Sequence, residues 1–159
     1  MKLRHFSDQP VETLRSIEQR DTPDDKPLGF WVSVEGDGDG WTDWCRETEF
    51  ALEKLVVEHE VILKPSARIL TITGEAGLDA FTREFGIPLD EPFMRQFERR
   101  RINWAKVAAE HQGIIIAPYI WTRRLHPETF WYYTWDCACG CIWDVSAMER
   151  VNVLNPEAV

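Results

Sequence analysis

Residues 113–117, Gly-Ile-Ile-Ile-Ala, form an uninterrupted apolar run that stops at Pro118. A short run of β-branched residues between a glycine and a proline is typical of a buried strand in the centre of a sheet. We therefore expect this chain to be organised around a β-sheet, with residues 113–117 in its interior.

Six further segments carry strand patterns: residues 2–6, 30–34, 56–63, 67–73, 130–135 and 140–145. The segment 56–63 alternates and is rich in valine and isoleucine, and Lys64-Pro65 closes it. Because only a short turn separates it from 67–73, we expect these two strands to pair in antiparallel orientation.

The first predicted helix begins at Trp41 or Thr42. Thr42 is a suitable N-cap, and Asp43 would lie at the positive end of the helix dipole. Apolar residues at helical spacing extend this pattern to Leu55.

Two more helices and one helical turn are expected. The second helix runs from Thr73 to about Phe85, where Gly86 is a natural stop. A third lies within residues 93–111, and residues 146–150 would add one turn. Strands and helices in this order do not alternate as βαβ units, so the sequence predicts a single α+β domain over residues 1–159.

The composition restricts the classes of ligand. The formal net charge is −9 at pH 7, which disfavours non-specific binding to nucleic acid. A small-molecule site or a basic partner is more consistent with this charge. Arginines and lysines are nevertheless concentrated at Arg95, Arg99, Arg100, Arg101 and Lys106, a stretch that we interpret as a solvated helix face or, alternatively, a phosphate or nucleic-acid contact.

The sequence contains no apolar run long enough to span a bilayer and no apolar leader segment. We therefore expect a soluble, cytoplasmic protein with no membrane association. Its eight tryptophans are a high number for 159 residues. Most should belong to the core, but two or three could line a pocket for a planar ring.

Two short segments near the N-terminus carry the clearest functional pattern. Residues 1–7 read Met-Lys-Leu-Arg-His-Phe-Ser, and residues 26–33 read Lys-Pro-Leu-Gly-Phe-Trp-Val-Ser. A histidine strand followed by a glycine–aromatic strand resembles the NAD-binding half of the ADP-ribosyltransferase fold. That family typically has tyrosine at the position of Trp31. The resemblance implies an ADP-ribosyltransferase-like architecture, a split mixed β-sheet with two or three helices and an NAD cleft between its halves.

The resemblance also implies a role for each residue of the two segments. His5 would contact a ribose hydroxyl, the backbone at Phe6 would hold the carboxamide, and Trp31 would stack on the nicotinamide. Gly29 would let the backbone approach the ligand, and two serines, Ser7 and Ser33, would supply hydroxyls. The alternative is that His5 and Trp31 are ordinary half-buried strand residues.

A third motif of that family, a glutamate that opens a late strand, has no match here. Asp136 is the nearest candidate, because it precedes the last clear strand pattern, and Glu128 is a second choice. With His5 and Trp31, Asp136 completes the expected catalytic set, in which a carboxylate would stabilise the oxocarbenium ion that develops as NAD loses nicotinamide. The other interpretation of Asp136 is a turn or capping residue.

The remaining motifs do not predict a further catalytic site. Cys137, Cys139 and Cys141 have a spacing that is unfavourable for zinc, so we expect reduced, partly buried thiols and no metal. His59 lies between two glutamates and is expected at the surface. The acidic glycine-rich segment 35–40 is expected to be a mobile turn that could act as a lid over the cleft.

The sequence thus predicts an NAD-dependent ADP-ribosyltransferase-like protein that uses NAD as substrate and an unknown acceptor. One alternative is a catalytically silent relative that binds a nucleotide or a protein partner, for example an interaction or inhibitory module that is encoded by a phage and acts in the host cytoplasm. Another is a small structural protein of the kind found in bacteriophages.

Overall fold

The computed structural model describes residues 1–92 and 99–156. Its strands are β1 (Leu3–Ser7), β2 (Phe30–Val34), β3 (Val57–Leu63), β4 (Ile69–Ile72), β5 (Gly86–Pro88), β6 (Arg100–Ile102), β7 (Gly113–Ile116), β8 (Cys139–Ile142) and β9 (Met148–Val153). Its α-helices are α1 (Trp41–Thr48), α2 (Glu75–Phe85) and α3 (Trp104–Glu110). Short 3₁₀ helices span Leu52–Lys54, Trp121–Arg123, Phe130–Thr134 and Val145–Ala147.

Seven strands form one sheet in the order β4-β7-β8-β2-β1-β3-β9. Only β4 and β7 are parallel, and the other neighbours are antiparallel. Strands β5 and β6 form a separate two-stranded sheet. The fold is therefore α+β with a mixed sheet, as the sequence predicts, but the large sheet is hydrogen-bonded continuously and is not split into two halves.

The sheet curls, and its two faces bury different cores. The inner face carries apolar residues from β1, β2, β3, β7, β8 and β9 in one cluster, among them Val34, Val61 and Ile142. The outer face of β4, β7, β8 and β2 is covered by α2, α3 and the aromatic segment 130–135. Strand β7 contributes to both cores, which confirms the prediction of a buried central strand at residues 113–117.

Helix α2 ends at Phe85, as the sequence predicts, but it begins at Glu75, two residues after the predicted start. Gly74 precedes it and Gly86 follows it. Leu78, Phe81 and Phe85 recur at helical spacing and pack into the outer-face core. The apolar face of this helix therefore holds it against the sheet.

Helix α1 is shorter than predicted. Its N-cap is Gly40, whose N–H donates to the carboxylate of Asp43 at 3.3 Å, so Thr42 lies inside the first turn. The helix stops at Thr48 because Glu49 has a left-handed φ of 52°. The predicted continuation to Leu55 is therefore wrong.

The predicted antiparallel pairing of 56–63 with 67–73 is also wrong. Strand β3 is flanked on one side by β1 and on the other by β9, so it has no free edge for β4. Strand β4 instead pairs in parallel with β7, with Ile69 opposite Gly113. Strand β9 occupies the edge of β3 that β4 was expected to use. It begins within residues 146–150, where the sequence predicts a helical turn.

Residues 130–135 were expected to be a strand, but most of them form a 3₁₀ helix. Trp131, Tyr132 and Trp135 are buried, whereas Tyr133 is 43% exposed. This pattern lacks the period of two that a strand requires.

The helix predicted within residues 93–111 is only partly realised. Residues 93–98, with Arg95, lie outside the described residues. Arg100 and Arg101 belong to β6, and α3 begins at Trp104. The basic stretch is therefore not one helix face. Within residues 1–92 and 99–156, no helix has the length and apolar character needed to cross a membrane.

Candidate functional site

A cleft of about 490 Å³ opens on the outer face of β1 and β2, beside the aromatic segment 130–135. Its lining residues are Arg4, His5, Phe6, Ser7, Asp8, Lys26, Trp31, Val32, Ser33, Trp41, Lys54, Trp135, Asp136, Cys137 and Cys139. They come from both ends of the chain because β2 lies between β1 and β8. The volume lies in the usual range for small-molecule sites.

Trp31 forms part of an aromatic wall in the cleft. Its position in β2 is opposite Cys141 of β8, on the outer face of the sheet. Its ring meets that of Trp135 edge to face, with centroids 4.9 Å apart, and Lys26 Nζ lies 5.4 Å from the indole centroid. Trp41 lines the same cleft. A planar ring bound here would meet large, flat side chains.

His5 borders the cleft, but its ring lies on the other face of the sheet. It is opposite His59 in the β1–β3 pair and stacks on Phe30 at 4.3 Å. Its Nδ1 lies 2.7 Å from the carbonyl oxygen of Trp31. Burial lowers the pKa of His5, although the hydrogen bond with the Trp31 carbonyl opposes this effect. The resemblance implies that the rings of His5 and Trp31 converge on one bound NAD. This convergence is not observed, because the two rings lie on opposite faces of the sheet.

Phe6 and Ser7 both line the cleft at the end of β1. Phe6 is opposite Glu58 of β3, on the outer face. The hydroxyl of Ser7 donates to the carbonyl oxygen of Gln9 at 2.5 Å. This hydroxyl is thus engaged within the turn that follows β1.

Ser33, which lies in β2, has a structural role because its side chain contacts the first turn of α1. Its hydroxyl accepts the N–H of Trp41 at 2.8 Å and donates to the carboxylate of Glu35 at 2.6 Å. Glu35 also accepts from the N–H of Thr42 at 3.2 Å. A carboxylate beside the first turn of a helix is stabilised by the helix dipole. Ser33 therefore connects the cleft to α1, with its hydroxyl already bonded on both sides.

Gly29 does not line the cleft. Its φ is +157°, and a Cβ at this position would lie 2.5 Å from the carbonyl oxygen of Ile142 and 2.9 Å from Sγ of Cys141. The glycine is therefore required for the close approach of this segment to β8. The expected approach to a ligand is replaced by an approach to the neighbouring strand.

Asp136 lies at the cleft, directly after Trp135. Its carboxylate accepts a hydrogen bond from Arg124 at 3.2 Å, and its side chain is 30% exposed. The Arg124 guanidinium also lies 5.4 Å from the ring of Trp44 and 5.0 Å from that of Tyr133. These contacts fix the arginine, which in turn orients the carboxylate.

Glu128, the second choice for a catalytic carboxylate, is not among the residues that line the cleft. It pairs with Arg83 of α2 at 3.2 Å. The structure therefore separates the two candidates and leaves Asp136 as the carboxylate beside Trp31 and Trp135.

Most charges in the cleft are balanced by neighbours. Arg4 pairs with Glu58 at 3.0 Å and with Glu60 at 3.6 Å. Lys54 pairs with Asp8 at 3.1 Å across the rim. The contribution of Arg4 could have been read from strand alternation, since Arg4 and Phe6 share a face. No sequence signal indicated Lys54 or Trp41.

Two of the four cysteines, Cys137 and Cys139, line the cleft as free thiols. The hydrogen bond with Cys139, and then burial, raise the pKa of the Cys137 thiol far above its usual range. Cys141 lies in β8, where burial raises its pKa as well. Within the part of the chain that the structure describes, no group of three or more potential ligands is arranged to hold a metal ion.

His59 is buried, not exposed as the sequence suggested. Its Nε2 accepts the N–H of Val11 at 3.0 Å, and its Nδ1 lies 3.2 Å from the carbonyl oxygen of His5. The flanking glutamates lie on the outer face, which is why their charge did not indicate the burial of the histidine between them.

The acidic turn before α1 is held at both sides. The Asp39 carboxylate accepts the N–H of Tyr119 at 2.8 Å, and its carbonyl oxygen accepts the N–H of Ala138 at 2.7 Å. The expected mobile turn is thus tied to two distant segments. Its glycines at 36 and 38 adopt positive φ angles that favour glycine.

Comparison with known proteins found no match to this chain among family models, curated proteins or solved structures.

Proposed function

We propose that the cleft binds NAD and that the protein is an ADP-ribosyltransferase-like enzyme that transfers ADP-ribose to an acceptor. The observation that supports this proposal is that Trp31 and Asp136, which are far apart in the sequence, both line the same cleft. One supplies an aromatic surface for a ring, and the other supplies a negative charge. Within the two segments that carry the family resemblance, Phe6 and Trp31 line the cleft, whereas the ring of His5 packs against Phe30 and Gly29 packs against β8.

The proposed reaction breaks the bond between the nicotinamide nitrogen and C1′ of the ribose. The bonding electrons leave with nicotinamide, so the positive charge moves from the pyridinium ring to the ribose. The acceptor then forms a bond to C1′ and releases its proton to solvent. A carboxylate near C1′ stabilises this transition state more than it stabilises bound NAD. Asp136 is the residue that we assign to this role.

Three features depart from the family pattern and support a second candidate. The ring of His5 faces away from Trp31, and the hydroxyl of Ser33 is engaged by α1. The carboxylate of Asp136 is paired with Arg124, which offsets part of its charge. A cleft of this kind favours a catalytically silent protein that binds a nucleotide.

Nicotinamide release from NAD tests the proposed enzyme. Asp136→Asn keeps the size of the side chain but removes its charge, so turnover should fall sharply while NAD affinity changes little, as expected for an interaction made mainly in the transition state. Glu128→Gln is the matched control, because that carboxylate pairs with Arg83 and does not line the cleft. It should leave turnover unchanged.

The outcome separates the two candidates. Equal rates for the wild type and Asp136→Asn would remove Asp136 from the mechanism. The absence of nicotinamide release from the wild type, together with NAD binding measured by calorimetry, would favour the silent nucleotide-binding protein.

A further inference from the structure

Lys26 differs from the other charged residues of the cleft. Arg4, Lys54 and Asp136 each have an oppositely charged partner within 4 Å. Among the ion pairs of the described residues, none includes Lys26. Its ammonium group lies 5.4 Å from the centroid of the Trp31 ring, and the residue is half-buried.

The backbone around Lys26 is held firmly. The carbonyl oxygen of Lys26 accepts the hydroxyl of Thr22 at 2.8 Å. Buried Gln19 donates to the carbonyl oxygen of Leu28 at 2.6 Å and accepts the N–H of the same residue at 2.9 Å. These bonds fix both sides of the lysine, so its side chain is presented to the cleft from a defined position.

The two neighbouring aspartates do not neutralise this ammonium through a direct contact. The carboxylate of Asp24 accepts the backbone N–H of Lys26 at 3.3 Å. The carboxylate of Asp25 is directed to the backbone N–H of Ile102 at 3.0 Å. Among the residues that the structure describes, Lys26 is therefore a half-buried cation of the cleft that lies beside an aromatic wall and has no carboxylate partner.

We infer that Lys26 is the phosphate-binding residue of the cleft. It recognises a ligand that combines a planar ring with a phosphate group, the chemistry of a nucleotide. A phosphate satisfies the ammonium group through a charge-assisted hydrogen bond, while the ring lies against the aromatic side chains. This inference rests on the proposed nucleotide site, and it adds the residue that selects for phosphate.

The charge of Lys26 also determines which part of NAD it favours. The oxidised nicotinamide ring is cationic and is repelled by an ammonium group, whereas the diphosphate is anionic and is attracted by it. Lys26 therefore positions the diphosphate. The affinity for phosphate-containing ligands should consequently weaken as salt rises.

Calorimetric titration of three ligands tests this role: adenosine, adenosine monophosphate and ADP-ribose. In Lys26→Met, affinity for the two phosphorylated ligands should fall by about tenfold to a hundredfold, the range for a hydrogen bond to a charged group. Adenosine affinity should be unchanged. Lys26→Arg keeps the charge and should retain most of the phosphate preference.

Lys54→Met is the matched control, because it removes a cation from the same cleft that is already paired with Asp8. It should affect the phosphorylated ligands much less than Lys26→Met. Thermal melting of each variant verifies that it is folded before titration.

The inference is overturned if Lys26→Met, while folded, binds ADP-ribose as tightly as the wild type does, or if the wild type prefers adenosine to its monophosphate. It is also overturned if the wild type binds none of the three ligands. A Lys26-dependent preference for phosphate without nicotinamide release would support the inference and contradict the proposed transferase activity. Nicotinamide release that is unaffected in Lys26→Met, with unchanged ADP-ribose affinity, would support the transferase activity and contradict the role of Lys26.

Discussion

Both carboxylate oxygens of Asp25 accept the backbone N–H of Ile102, at 3.0 and 3.2 Å. The carbonyl oxygen of Asp25 also accepts the indole N–H of Trp104 at 2.9 Å. One residue thus ties the loop before β2 to both β6 and α3. Because Lys26 follows directly, the position of this cation depends on the bond between Asp25 and Ile102.

We predict that the charge of Asp25 makes stability depend on pH. Burial raises the pKa of Asp25 to about 7, although the N–H of Ile102 and the charge of Arg101 oppose this shift. A carboxyl group whose pKa is raised on folding binds its proton more tightly in the folded state. The contribution of Asp25 to stability should therefore fall as pH rises from about 4 to about 7 and level off above that range.

Asp25→Asn tests this dependence, because the amide keeps an acceptor for Ile102 without the charge. The melting temperature of the variant should exceed that of the wild type near pH 8, and the difference should shrink as pH falls to about 4. Asp24→Asn is the control, since Asp24 is exposed. An equal difference at both pH values would show that charge is not responsible.

Trp31 should be required for stabilisation by NAD. A ligand at a hundred times its dissociation constant adds roughly 2.7 kcal/mol to the free energy of unfolding, which a thermal melt detects. Trp31→Ala should abolish this increase and leave a folded protein with a lower melting temperature, because the contact with Trp135 is lost. Persistence of the full NAD-induced shift in the variant would place the ligand elsewhere.

Gly29→Ala should destabilise the protein by about 2 kcal/mol or more. The new Cβ would meet the carbonyl oxygen of Ile142 at 2.5 Å, in a backbone conformation that disfavours a side chain. Gly74→Ala is the matched control, because a Cβ there has no neighbour within 4 Å. Urea unfolding should give a larger loss of free energy for Gly29→Ala than for Gly74→Ala, which loses only the preference of a helix N-cap for glycine over alanine. Equal losses would contradict the role assigned to Gly29.

The thiols should react slowly in the folded protein. Burial raises the pKa of Cys45 to about 11, and the pKa values of Cys137 and Cys141 are raised as well. Because the thiolate is the reactive form, a thiol-specific reagent near pH 8 should label these cysteines slowly before unfolding and rapidly afterwards.

We also predict no stoichiometric metal and no disulfide in reducing buffer. Elemental analysis showing about one zinc per chain would contradict the prediction.

Patterns that depend on local sequence were predicted well. The run of isoleucines in β7 and the helical spacing of apolar residues in α2 were sufficient to predict that these residues are buried. Pairing between strands was not predictable, because β4 could pair with β3 or β7 and no local pattern distinguishes the two. The choice depends on β9, which occupies the other edge of β3.

In the candidate site, too, the sequence predicted local features but not those that depend on how the strands pair. Segments 1–7 and 26–33 indicated residues that border the cleft, and the search for a late carboxylate identified Asp136. The inward direction of His5 follows from strand alternation, which places it with Leu3, so the sequence could have predicted it. The surroundings of Gly29 could not be predicted, because only the tertiary structure places β8 next to β2. Trp41 reaches the cleft from the first residue of α1, and Lys54 reaches it from the 3₁₀ helix Leu52–Lys54, which replaces the predicted continuation of the helix to Leu55.

The position of β8 between β2 and β7 has a consequence for biosynthesis. A nascent chain that has not yet emerged from the ribosome as far as Ile142 cannot join the first strands to the isoleucine strand. The aromatic walls from Trp31 and Trp135 therefore meet only after synthesis has passed β8. Strand pairing over such sequence distances is slow compared with helix formation, so we expect this part of the cleft to form late in folding.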